Sequence, residues 1–189
     1  MGSGEERGRN RFWWRLWVSC VVVGGALFLG GGALRAVALF SVFEPFTVQL
    51  AVELPPEVRL QSYRIAVNGT PYVWAGGVAF FVGVIGSVLM RWQQLRACGW
   101  LFMALVLAAL ALPVELWIAF KYDLALVRLV AAGNVAVERV ETAVLERVTR
   151  AGVVATLAAC AEWTILLLFL WRPLERGEHE AGASGRGTA

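Results

Sequence analysis

Histidine, lysine and cysteine are scarce in this chain, and each shortage excludes a kind of chemistry. The 189 residues contain one histidine, three cysteines and one lysine, Lys121; every other basic residue is arginine. His179 lies close to the end of the sequence. A bis-histidine haem inside a helix bundle is thereby excluded, and a histidine zinc site lacks its second imidazole. Cys20, Cys98 and Cys160 fall within or at the edges of apolar runs, which offers neither a disulfide framework nor metal-ligand spacing; they read as small packing residues. No glycine loop for phosphate, G-x-S-x-G or H-E-x-x-H occurs. The expectation is a non-enzymatic protein with no cofactor and no metal.

Charge is also sparse. Charged residues make up 16% of the chain and hydrophobic ones 59%, against about 25% and 45–50% in soluble domains. The excess is membrane-like. No basic stripe alternates with aromatics on a soluble domain, so nucleic acid is not an expected partner.

Four apolar stretches, 15–40, 72–92, 97–120 and 151–171, each supply the roughly 20 helical residues needed to cross about 30 Å of hydrocarbon. The expected fold is an all-α membrane protein, a four-helix transmembrane bundle. Around the spans lie tails 1–14 and 172–189, a short turn at 93–96 and two longer loops, 41–71 and 121–150. Residues 1–11 and 174–189 are polar and glycine-containing and read as flexible tails. Arg7, Arg9, Arg11 and Arg15 precede the first span, Arg91 and Arg96 sit around the turn, and Arg172, Arg176 and Arg186 follow the last span. Positive charge is retained in the cytoplasm, so both termini are expected inside an inner or plasma membrane. Trp13, Trp14, Trp17, Trp92, Trp100 and Trp171 mark the inner ends and Trp74 and Trp117 the outer ends, where indole favours the headgroup level. A cleaved signal peptide ending near Ala36-Val37-Ala38 is the rival, but Leu16–Leu34 is longer than the usual 7–15 residues of such a core.

The outside loops carry pattern. Val48, Leu50, Val52 and Leu54 alternate with less apolar residues, Pro55-Pro56 interrupts, and Tyr63, Ile65 and Val67 alternate again. This spacing predicts a small β-hairpin in loop 41–71. In 121–150, Leu126, Val130, Val137, Val140, Val144 and Val148 recur at three- and four-residue steps. The simplest expectation is one helix from about 124 to 171, roughly 70 Å long, extending the fourth span outside. Its stripe would meet either the hairpin or a partner protein. Glu146 and Arg150 form a favourable i,i+4 pair on it.

Small residues predict how the helices touch. Ala75, Ala79, Gly83 and Ser87 form one ladder, and Ala151, Ala155 and Ala159 another; such faces let backbones approach in lipid. Gly24, Gly25, Gly30, Gly31 and Gly32 add to this in the first span.

Three ionisable residues interrupt the spans: Arg35, Glu115 and Glu162. Charge at mid-bilayer costs about 2.5–3.5 kcal/mol or more, so such groups face the interior and find partners. The expectation is a pair of Arg35 with Glu115 or Glu162 that fixes register. The sharper reading makes the two glutamates sites for protons or cations. In outline the layout resembles claudin-like tetraspan proteins, but loop 41–71 contains neither tryptophan nor cysteine, and no family assignment follows. Two functions are therefore expected of such a chain. One is an accessory or assembly subunit, in contact with the bilayer and with a membrane-protein partner or further copies of itself. The alternative is a small transporter or channel for protons or cations.

Overall fold

The computed structural model describes residues 3–44, 47, 49–51, 53–95, 98–132 and 136–171, with side chains described from Phe12 onward except at 94. The expected readings on residues 172–189, Arg96, Val48 and Val52 lie outside the described residues. Among the described residues six α-helices follow in order: α1 (Ser3–Phe40), α2 (Pro56–Asn68), α3 (Thr70–Met90), α4 (Gly99–Ile118), α5 (Leu124–Ala131) and α6 (Val137–Trp171). A 3₁₀ turn at Trp92–Gln94 follows α3, and a π-helical turn at Ala119–Asp123 joins α4 to α5. Four helical rods, Phe12–Phe40, Pro56–Met90, Gly99–Ala131 and Val137–Trp171, are long and apolar enough to cross a membrane. This is compatible with a multi-pass membrane bundle.

The rods alternate in direction. Trp100, at the start of α4, meets Trp14 near the start of α1 edge-on at 6.4 Å and Phe169 near the end of α6 at 5.2 Å. The Arg91 guanidinium just after α3 lies 3.9 Å over the Trp14 ring. The beginning of α1 and the end of α6 therefore share one end of the bundle.

Packing divides the molecule into two storeys. In the lower storey α1, α3, α4 and the second half of α6 enclose Val21, Phe28, Phe80, Val84, Ala104, Ala108 and Ile165. In the upper storey the end of α1, α2, α5 and the first half of α6 enclose Leu39, Val42, Tyr63, Leu126, Val140 and Val144. Val21, Phe28 and Arg35 stand seven residues apart on α1 and are all buried, because seven residues nearly complete two helical turns; Val42, in the turn just past the helix, is buried too. On α6 the buried positions 140, 141, 144, 151, 158, 162, 165, 166 and 169 likewise fall on one broad face.

Several expectations are corrected. No strand occurs among the described residues; loop 41–71 holds one antiparallel bridge, Phe43 to Leu50, and then α2. Proline is favoured in the first helical turn, where its missing N–H costs nothing. Pro56 there starts a helix rather than breaking a hairpin. The buried residues of α2 are Tyr63, Ala66 and Val67, a helical spacing, while Ile65 is exposed; the apparent alternation 63-65-67 was half of a helical stripe. The fourth helix begins at Val137, not near 124, and residues 124–131 instead prolong the third rod through the π turn. Every rod reaches the upper storey, so the extension is not peculiar to α6. Residues 1–11 are not all flexible tail: α1 is helical from Ser3, in a stretch without proline and rich in arginine and glutamate, good helix formers.

The ladder of small residues is also displaced on α3. Its face toward α1 carries Val73, Gly76, Phe80, Gly83 and Ser87, all buried, whereas Ala75 is exposed and Ala79 half-buried. A strict four-residue step drifts by about 40° each time on a helix of 3.6 residues per turn, so the ladder read from the sequence winds off the contact. The α1–α3 contact is the most extensive in the molecule. A Cβ added to Gly76 would lie 2.7 Å from the Phe28 backbone nitrogen, and one on Gly24 2.5 Å from that of Phe80. The two backbones touch because both positions are glycine.

Candidate functional site

Between the storeys lies a layer of charge. Arg35 Nη1 donates to Asp123 Oδ2 at 3.0 Å, and Arg147 Nε donates to Asp123 Oδ1 at 2.9 Å. Arg35 and Asp123 are both buried, while Arg147 is half-buried. The carboxylate thus accepts one charge-assisted bond on each oxygen, from α1 and from α6, and clamps both to the π turn. Such bonds are stronger than neutral ones, and the second arginine offsets part of the cost of burying the first pair. Arg35 Nε and Nη2 remain without partners.

The pairing expected for Arg35 is therefore corrected: its carboxylate partner is Asp123, not Glu115 or Glu162. Asp123 is the one aspartate of the chain. The sequence does not single it out, because it falls in the segment 121–150 that reads as an outside loop. The signal available was its setting, a lone acid in AFKYDLALV, whose helical register carries it inward.

Glu115 and Glu162 stand on the wall of a cavity of about 690 Å³ between α1, α3, α4 and α6, which Arg35, Asp123 and Arg147 also line. The structure thus brings the three sequence-predicted charged residues to one space, although they do not pair with one another. Three carboxylates there face two guanidiniums, and both guanidiniums are held by Asp123. Glu162 is only 2% exposed, and its Oε1 has no hydrogen-bond partner. A buried acid in that state is stabilised by any species that brings it a positive charge or a hydrogen-bond donor.

The rest of the wall is apolar and aromatic, with Phe28, Phe81, Trp74 and Trp163 among its residues. Below Glu162, Ile165, Phe169, Trp100 and Trp14 fill the bundle. To the side, the wall includes Val78 of α3, Leu116 of α4 and Phe120 of the π turn, all exposed on the outer surface. Phe40 of α1 and Trp163 of α6 on the same wall are exposed as well, so the cavity is open to the sides of the bundle, while the aromatic cluster fills the end where the termini lie.

The backbone around Glu115 is weakened on both sides. Pro113 lies inside α4 two residues before it and removes one helical hydrogen bond. The π turn begins at Ala119, four residues after it, and such bulges recur at functional sites.

The other predicted site residues have structural places. Leu126, Val140 and Val144 are buried in the upper storey, with Val130 and Val148 packed against them and Val137 half-buried. Part of this stripe packs against α2 and the end of α1, the cover within the chain that the sequence offered as one of its two readings. Ala151 is buried against Ile118 and Tyr122, Ala155 packs beside them, and Ala159 is half-buried on the cavity wall. The matching small face of α4, Ala104, Ala108 and Ala111, was missed, although its three- and four-residue steps were visible. The expected Glu146–Arg150 pair forms at 3.2 Å on the exposed side of α6. Among the described residues no group of three or more histidine, cysteine, aspartate or glutamate side chains is placed to hold a metal.

Comparison of the chain with protein-family models, with curated proteins and with solved structures finds no match.

Proposed function

We propose that this chain is a small multi-pass membrane transporter for protons or cations. Glu162 is the exchanging carboxylate and Glu115 the second acid of the site. The observation that carries the reading is Glu162 itself, buried in a cavity wall with an unpartnered oxygen while both nearby arginines are engaged by Asp123. A structural ion pair would satisfy that oxygen. An exchange site instead leaves it for a passing charge. The stopped end of the cavity favours a carrier over an open channel, and the backbone breaks flanking Glu115 supply a place for the wall to move. The arginine distribution orients the chain with both termini cytoplasmic in an inner or plasma membrane. The experiment is ion flux in proteoliposomes, compared between the parent chain and Glu162→Gln.

A second reading, an accessory subunit that packs on a membrane partner or on a second copy, draws on α1. Ala26, Gly30 and Ala33 form an exposed small-residue stripe there, and a Cβ on Gly30 would meet nothing within 4 Å. Crosslinking in native membranes tests it: recovery of monomer alone argues against that role.

A further inference from the structure

The chemistry of the cavity narrows the species it takes. A bare divalent ion such as calcium needs about 6–8 oxygen ligands. Here Glu115 and Glu162 are backed by Thr156 as the one hydroxyl on the wall, and the remaining surface is mostly hydrocarbon and aromatic ring. The space is also far too large for such an ion: about 690 Å³, when a water in the liquid takes roughly 30 Å³. Volumes of about 300–1,000 Å³ with apolar walls and a few converging polar groups are those of sites for drug-sized organic molecules.

Sign and route are fixed by the same residues. Carboxylates outnumber guanidiniums on the wall, both guanidiniums are bonded to Asp123 although Arg35 Nε and Nη2 stay unpartnered, and Glu162, 2% exposed, keeps an unpartnered oxygen. Aromatic faces add to the attraction of a carboxylate for an organic cation once water is excluded. The side mouth at Val78, Leu116 and Phe120 is bounded by exposed apolar side chains, a surface that an apolar molecule dissolved in lipid can cross without meeting a polar rim.

Resting on the transport reading above, we infer that the cavity binds lipophilic organic cations, protonated amines or quaternary onium ions, which enter sideways from the hydrocarbon and place their charge against Glu162.

The test uses the full chain in zwitterionic lipid nanodiscs. Binding of tetraphenylphosphonium is followed by quenching of tryptophan fluorescence and by calorimetry, since Trp74 and Trp163 line the site. Triphenylphosphine oxide serves as a neutral relative, dodecanoate as an anion and potassium as a bare cation. Saturable tetraphenylphosphonium binding is expected, at least tenfold tighter than the oxide, with no saturable response to potassium. Glu162→Gln should weaken it at least tenfold and Glu162→Asp should retain most of it. Equal binding of the oxide, preference for dodecanoate through the free edge of Arg35, or unchanged binding in Glu162→Gln would each overturn the inference. If Glu162→Gln fails to give a monodisperse helical protein, the comparison of cation with neutral compound in the parent chain decides. Glu162-dependent proton flux without tetraphenylphosphonium binding would refute the organic-cation class and leave the transport reading standing. Binding without such flux would do the reverse.

Discussion

Arg35 and Asp123, 88 residues apart in the sequence, meet at 3.0 Å and join α1 to the turn between α4 and α5. Asp123 is also bonded to Arg147, so the three residues are not equivalent. Asp123→Leu strands a buried guanidinium and should cost about 3–5 kcal/mol. Arg35→Leu leaves Asp123 still paired with Arg147 and should cost less. A double-mutant cycle on thermal unfolding in detergent should give a coupling above about 0.5 kcal/mol for Arg35 with Asp123 and less for Arg35 with Glu162. Equal couplings would contradict the clamp.

The glycine contact makes a positional prediction. Gly76→Ala inserts a methyl 2.7 Å from the backbone of Phe28, where no side chain can swing aside. It should destabilise by about 1–3 kcal/mol. Gly30→Ala, with open space around the new methyl, should stay within about 0.5 kcal/mol of the parent. Melting temperatures of the two variants side by side decide, and equal losses would refute the close approach.

These two relationships also show what the sequence carried and what it hid. The four rods were legible because apolar length is a strong signal. Glu162 was legible as inward-facing because alanines at 155, 158 and 159 share its side. The partner of Arg35 was hidden. Asp123 lies just past the apolar run of α4, and only the continuation of that rod through a π turn into α5 returns it to the interior. The helix 56–68 was hidden for a different reason. Tyr63, Ile65 and Val67 fit a period of two as well as half of a helical stripe, an ambiguity inherent in short apolar runs. The α3 ladder failed through drift over its length, since Gly83 and Ser87 are buried but Ala75 is not.

In the upper storey, Arg59 pairs with Glu141 at 2.8 Å beside the fully buried Tyr63. Arg59→Leu leaves the Glu141 carboxylate buried without its partner and should destabilise by about 1–3 kcal/mol. Tyr63→Phe should cost little, because the hydroxyl has no partner. Melting temperatures of the two variants side by side check this, and equal losses would refute it.

Orientation is open to labelling. In a background with Cys20, Cys98 and Cys160 replaced, a membrane-impermeant maleimide should modify Glu138→Cys in intact cells and leave Ser184→Cys untouched. Glu138 is exposed near the start of α6, whereas the neighbouring Glu141 is buried and paired. The opposite labelling pattern would invert the topology.

The most direct measurement of the central claim is proton flux across proteoliposomes under an imposed pH gradient, followed by a lumenal pH dye. Parent protein should dissipate the gradient well above protein-free vesicles. Glu162→Gln, reconstituted to the same density and equally folded, should fall at least tenfold toward that background, while Glu146→Gln on the exposed side of α6 should not. A flux unchanged by Glu162→Gln, or none above background with the parent protein under either proton or cation gradients, would contradict a transport role for this cavity.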